Sequence, residues 1–206
     1  LLNQIRTWDF ISPDNINLMR KIQREEFVPV AHRKLAFSDF EIPMSHDQFM
    51  MKPIVEGRIF QSLNLSKSDH VLEIGTGSGY LTALMALSSN KVKSLDIFQD
   101  FTDSAKEKLE DANIKNIECI CHDFYQYDSE EKFDCIVITG SIQKTPDFLF
   151  KNLKEGGKIF AIIGDSPVMS ACIISKSNNE TAKIETLFET DVKPLIQHKQ
   201  KSNFTL

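Results

Sequence analysis

Nowhere in the 206 residues is there an apolar run long enough to cross a bilayer. The longest, such as "IFAIIG" and "ACII", fall far short of the ~20 residues a membrane helix needs. The opening "LLNQIRTWDF" lacks the basic, apolar and small-residue succession of a signal peptide, and without an initial Met it reads as an incomplete start. Cations are not in excess either. Against 29 Asp and Glu stand 24 Lys and Arg, and the net charge of -5 argues against a nucleic-acid partner, whose phosphates call for clustered Lys and Arg. The basic stretch from Lys193 to Lys201 reads as a solvated edge. Cysteine is scarce, and none of the four makes the C-x2-C spacing of a zinc site. Cys119, Cys121, Cys135 and Cys172 all lie in apolar runs, where small buried thiols are common, so no metal is expected. What remains is a soluble, cytoplasmic protein without a membrane partner. At 41% hydrophobic it has enough apolar material for one sizeable core.

The patterning divides the chain into two styles. In the first, helical signals dominate: Ser12, Pro13 and Asp14 form a helix start, and Ile16, Met19 and Ile22 recur on one face. "REEFVPVAHRKLAF" follows, broken at Pro29, and Trp8, the only tryptophan, is expected as a packing anchor for this cap. "MSHDQFMMKP" (44–53) has neither a helical nor a strand period and reads as an irregular loop folded over something. Helical spacing returns from Ile54 to Leu65. From residue 70 strands and helices alternate. Strands are expected at 70–75, 91–97, 116–121, 133–139 and 156–164, with helices at 79–89, 100–112 and 145–153. Two more strand-like runs, 169–176 and 183–190, follow without a helix between them. Strands separated by crossovers of this length imply a parallel sheet, with the last pair as an antiparallel edge. The expected fold is α/β, a doubly wound and mostly parallel Rossmann-like sheet under a helical N-terminal cap.

Only eight glycines occur in the chain, and three of them, Gly75, Gly77 and Gly79, stand in "VLEIGTGSGY", where an apolar strand turns into a helix. Glycine is needed where backbone turns sharply and approaches a ligand. A nicotinamide fingerprint would place its third glycine at position 80, which is Tyr80. Instead the spacing is G-x-G-x-G, and Glu73 precedes it by two residues, which suits a cationic ligand better than a pyrophosphate. E-x-G-x-G-x-G at the end of a first strand is the loop of methyltransferases that use S-adenosylmethionine. Asp96 ends the second strand, about 20 residues on, where an acid can hold both ribose hydroxyls. Asp123 follows the third strand, within reach of an adenine amino group. The expected cofactor contacts are Glu73, Gly75, Thr76, Gly77, Gly79, Asp96, Ile97, Asp123 and Phe124.

With "REEFVP", "IPMSHDQ" and its following Pro, "VLEIGTGSGY", "LKEGGKIFAIIG" and "ETLFETDVKPL" in that order, the chain resembles the protein-L-isoaspartate O-methyltransferase family nearly end to end. That resemblance implies a class I S-adenosylmethionine-dependent enzyme, cytosolic and usually monomeric, with a reordered pair of strands at the sheet's C-terminal edge. Its substrates would be peptides or proteins bearing L-isoaspartate, whose stray carboxyl it would methylate in protein repair. It also implies a division of the single domain 1–206 into cap and substrate loop (1–57) and cofactor-binding core (58–206). Typical members read close to I-G-x-G-Q-T-I-S-x-P in the loop. Here Gln48 and Pro53 match, but Phe49 stands at the Thr position and Met51 at that of the usual catalytic Ser. A proteobacterial branch of the family shares a similar M-M-x-P ending. His46, Gln48 and Met51 are the candidate catalytic positions, with His46 as a possible carboxylate-orienting group. Two other readings stay open: a methyltransferase with a changed carboxylate acceptor, or a cofactor-binding protein without turnover.

Overall fold

The computed structural model describes residues 11–176 and 182–196. Trp8 and the basic residues beyond 196 lie outside them. Helix α1 (Pro13–Lys21) begins as its cap signal requires: the Ser12 hydroxyl accepts from the Asn15 N–H at 3.3 Å, and Pro13 takes the first turn. A one-turn helix α2 (Arg24–Phe27) and a 3-10 stretch (Val30–Leu35) lead to a small hairpin. Its strands β1 (Ile42–Pro43) and β2 (Phe49–Met50) pair antiparallel, so the segment read as irregular carries a two-residue ladder. Helix α3 (Pro53–Leu63) follows and ends on Asn64 in the left-handed conformation, a residue type that tolerates it.

Seven strands then form one sheet: β3 (His70–Ile74), β4 (Lys91–Asp96), β5 (Ile117–Cys121), β6 (Phe133–Ile142), β7 (Leu153–Asp165), β8 (Val168–Lys176) and β9 (Ala182–Thr190). Their order is β5-β4-β3-β6-β7-β8-β9. The first five in sequence run parallel, while β8 and β9 are antiparallel and sit at the edge in chain order. Helices α4 (Tyr80–Ser88) and α5 (Gln99–Asp111) make the first two crossovers.

The period-two alternation of the strands sorts their side chains into two cores. Val71, Val92, Cys135, Val137 and Phe160 join the cap residues Met19, Ile22 and Phe27 with the apolar faces of α3, α4 and α5. Leu72, Ile74, Ile136, Ile138 and Ile159 face the other way. That second face carries less helix than expected. The segment 145–153 is a short 3-10 helix (Asp147–Lys151), which together with Phe124–Gln126 brings Phe124, Phe148 and Leu149 onto the sheet. Pro146 holds Thr145 out of the helical region, so the helical turn starts only after it, and Leu153 already belongs to β7. Of the four thiols expected to be buried, Cys119, Cys135 and Cys172 are; Cys121, on the edge strand β5, is only half-buried.

The strand order reverses between β3 and β6. Ligands of open α/β sheets bind at such a point, beyond the carboxyl ends of the strands. Two segments converge there. One is the β1–β2 hairpin. The other is the chain after β9, which returns to β6: the Ser141 N–H donates to the Lys193 carbonyl at 3.0 Å and the Leu195 N–H to the Ser141 carbonyl at 2.9 Å.

A single buried side chain holds the cap against this end. Arg24 is fully buried; its Nε donates to Glu56 Oε2 at 2.7 Å, one Nη to the Met51 carbonyl at 2.7 Å and the other to the Ala36 carbonyl. Burial pushes the Glu56 carboxyl pKa up, and Arg24 pulls it back down. Replacing Arg24 by Met would leave a buried carboxylate and two carbonyls without donors. Arg24→Met is expected to cost about 3–5 kcal/mol in urea unfolding, with much of it recovered in Arg24→Met/Glu56→Leu. A cost below about 1 kcal/mol would place the cap's support elsewhere.

Candidate functional site

The glycine loop is shaped from below and behind. Gly75, Gly77 and Gly79 have φ of +97, +51 and +84°. A Cβ on Gly75 would lie 2.2 Å from Thr139 Oγ1, and that hydroxyl sits 2.9 and 2.8 Å from the Ile74 and Gly75 carbonyls. At Gly79 a Cβ would meet Ala105 of α5 at 3.0 Å. Only glycine satisfies both the backbone angle and the close approach at these two positions. The Gly75 and Thr76 N–H groups donate to the Leu95 carbonyl at 2.8 and 3.2 Å, tying the loop to β4.

Glu73 lies under the loop on the helix-covered face of β3, fully buried. The hydroxyls of Thr82 and Ser94 both donate to its Oε2 at 2.5 Å, while Oε1 is buried without a partner among the described residues. Burial pushes its pKa up to about 8, against the pull of those two hydroxyls, and Asp96 adds to the rise. Such a group is left with unmet electrostatic demand that a cation above it would satisfy.

Asp96 bridges loop and strand. Its Oδ2 accepts from the Gly77 N–H at 2.9 Å and its Oδ1 from the Phe98 N–H at 3.0 Å. Burial raises its pKa, and these backbone bonds oppose the rise. A carboxylate has about four lone-pair sites, so two vicinal hydroxyls can still be accommodated. Asp123 caps the turn Phe124–Gln126: Oδ1 accepts from the Tyr125 N–H at 2.9 Å and Oδ2 from Gln126 Nε2 at 3.1 Å. Gly75, Gly77, Asp96, Ile97, Asp123 and Phe124 line one open cleft, the concave kind of place where small ligands bind. Thr76 turns away, its hydroxyl 2.6 Å from that of Ser94.

The hairpin roofs this cleft. His46 and Asp47 at its tip are left-handed, with φ of 59 and 54°. Each holds one wall. The His46 ring stacks on Phe98, centroids 4.0 Å apart and planes 5° apart, with Nε2 at 2.9 Å from Asp100 Oδ1. Asp47 Oδ2 accepts from Lys193 Nζ at 2.6 Å on the other side. Among the three candidate catalytic positions, Gln48 and Met51 line the cleft and His46 does not. The carboxylate that His46 orients here is the protein's own Asp100. The Gln48 amide donates to the His46 carbonyl at 3.0 Å. Met51 packs against the cap core, and its carbonyl is the one held by Arg24.

Four residues of the site were not singled out by sequence reasoning: Arg24, Phe98, Thr139 and Lys193. Arg24 opens "REEFVP", so a signal existed in the motif. Nothing local marks Lys193, because its place depends on the chain returning to β6.

The protein-family description Protein-L-isoaspartate(D-aspartate) O-methyltransferase matches residues 1–200. The protein-L-isoaspartate O-methyltransferase of Methanoculleus marisnigri is 37% identical over 147 residues, 71% of this chain and 67% of that protein. Its namesake from Methanospirillum hungatei is 30% identical over 178 residues, 86% and 82% of the two chains. A Plasmodium falciparum protein assigned as a protein-L-isoaspartate O-methyltransferase, solved with S-adenosyl-L-homocysteine, superposes with a TM-score of 0.80 at 22% identity. That match covers 95% of this chain and 96% of the other, and it carries the fold.

The buried Glu73 carries a pH signature. Its folded-state pKa near 8 stands above the ordinary 4.5, so the native state keeps a proton that the unfolded chain releases. This stabilisation is complete below pH 4.5 and is lost as pH rises to about 8. Relative to Glu73→Gln, the unliganded wild type should lose on the order of a few kcal/mol across that window. Urea unfolding of both proteins along a pH series checks it, and parallel curves would refute it.

Proposed function

The chain belongs to the protein-L-isoaspartate(D-aspartate) O-methyltransferase family, and we propose from its site that it methylates the stray carboxyl of L-isoaspartyl residues in damaged proteins. The observation that carries this reading is the pairing of an adenosyl-type cleft with a roof. The glycine loop, Asp96 and Asp123 form the floor, and Gln48, Phe49 and Met51 close over it. S-adenosylmethionine is the cofactor; when bound, it supplies a methyl group made electrophilic by an attached sulfonium. The residues present fit it. Asp96 would take the ribose hydroxyls and Asp123 and Phe124 the adenine edge and face, while Glu73, buried beneath the glycine loop with one oxygen unpaired among the described residues, would offset positive charge.

The acceptor's chemistry asks little of the protein in proton transfer. A free carboxylate is ionised at neutral pH (reference pKa roughly 4) and needs no general base. The chain contributes placement and dryness. Phe49 and Met51 wall the cleft with apolar surface and exclude water, which favours a transfer in which both charges disappear. The same two residues favour a second reading, in which the enzyme accepts a different carboxylate, because no hydroxyl stands at position 51. The proposal also includes a cytoplasmic setting and a monomeric state, which rest on the family resemblance.

The product chemistry distinguishes these readings. With labelled methyl donor and an isoaspartyl peptide, the wild type should form a methyl ester that releases labelled methanol in mild base. Met51→Ser, which removes packed apolar surface, should lower stability by about 1 kcal/mol or more and leave this turnover within about twofold. Stable, base-resistant product would contradict carboxyl methylation. A several-fold rate gain at unchanged stability would show that position 51 still serves the acceptor, since one neutral hydrogen bond is worth ~1 kcal/mol.

A further inference from the structure

We infer that Lys193 is the acceptor-binding residue of this enzyme, holding the substrate carboxylate through its ammonium in exchange for Asp47. The inference rests on the proposed reaction and goes beyond it by assigning the acceptor subsite. Among the described residues, Lys193 is the one lysine or arginine that lines the cleft. It is placed there by backbone: the Ser141 N–H donates to its carbonyl at 3.0 Å, so its Cα is fixed beside the end of β6 whatever its side chain does.

The side chain reaches the hairpin that roofs the cleft. Its ammonium lies 5.3 Å from the centroid of Phe49, the residue standing beside the missing hydroxyl, and 2.6 Å from Asp47 Oδ2. Asp47 is 81% exposed on its side chain, so water can replace it at little cost, and an exposed ion pair of this kind adds little stability. A lysine ammonium has three donors, and the carboxylate it now holds occupies one. Asp47 thus shows what the ammonium donates to: a carboxylate at the roof of the cleft.

The neighbouring charges permit this. Glu41 also lines the cleft, but burial raises its pKa, and its further influences are Lys52, Asp191 and Lys193. Phe49 and Met51 contribute no donor by side chain, and the Gln48 amide is turned to the His46 carbonyl. An entering carboxylate therefore finds Lys193 as its charged donor. Charge-assisted hydrogen bonds are roughly twice as strong as neutral ones, so a lysine offsets the absence of a hydroxyl at position 51.

Three variants test the assignment: Lys193→Met, Lys193→Arg and Asp47→Asn. The readouts are KM and kcat for an isoaspartyl peptide, binding of that peptide to enzyme loaded with S-adenosylhomocysteine, and calorimetric affinity for S-adenosylmethionine. Lys193→Met should weaken peptide binding and raise its KM on the order of tenfold, leaving cofactor affinity within about twofold. Lys193→Arg should restore most of the loss. Asp47→Asn should lower KM, because the acceptor no longer competes with an internal carboxylate. Should Lys193→Met fold poorly, Asp47→Asn decides alone, and an unchanged or raised KM there overturns the assignment. An unmoved peptide KM in Lys193→Met, or a parallel loss of cofactor affinity, overturns it as well. Wild-type protein that does not methylate the peptide at all would instead end the proposed function.

Discussion

One buried guanidinium, that of Arg24, decides where the roof of the site sits. It reaches the 3-10 segment at Ala36, the roof at the Met51 carbonyl and α3 at Glu56, and it lies 5.5 Å from the ring of Tyr80, the residue after the glycine loop. Cap, roof and floor therefore meet on one charge. A buried ion pair seldom adds net stability over an apolar replacement. Its value here is geometric, because a planar fork with fixed donors sets the distances between three backbone segments at once. Phe27, at the end of α2, completes the contact by packing edge-on against Tyr80 with centroids 5.8 Å apart.

The floor is built on the same economy of shared partners. Asp96 accepts from the Gly77 N–H, so the carboxylate that would hold the ribose also sets the bend of the loop. Glu73 sits between Thr82 of α4 and Ser94 of β4, which puts the loop's acidic residue at the junction of helix and strand. Loop shape and loop charge are consequently not independent. The roof is held more lightly, by exposed contacts of His46 with Asp100 and of Asp47 with Lys193. Such pairs are weak and screened by salt, which suits a segment that must admit a peptide.

Much of this was legible in the order of residues. Strands β3 to β9 are apolar runs bounded by turn residues, and the glycine loop announces itself by three glycines at two-residue spacing between strand and helix. Asp96 and Asp123 could be placed because the ends of parallel strands share one side of the sheet. What escaped depended on distant chain. The hairpin at 42–50 has too few residues for a strand period, and the partners of the His46 ring, Phe98 and Asp100, lie some fifty residues further along the chain. The segment 145–153 carries helical spacing, yet between Pro146 and the start of β7 it forms a 3-10 turn. Lys193 read as a solvated edge, since its position is set by a bond to Ser141 some fifty residues earlier, which no local pattern encodes.

The central claim, that this cleft methylates isoaspartyl carboxyls and not ordinary aspartyl ones, meets its most direct test in a competition. Two peptides of identical sequence, one with L-isoaspartate and one with L-aspartate at a single position and distinguished by an isotopic label, are incubated together with the enzyme and S-adenosylmethionine. Mass spectrometry then follows each. The account predicts that only the isoaspartyl peptide gains the mass of one methylene, and that it later loses methanol to the succinimide. Equal methylation of both peptides, or none of either beside clear cofactor binding, would contradict it.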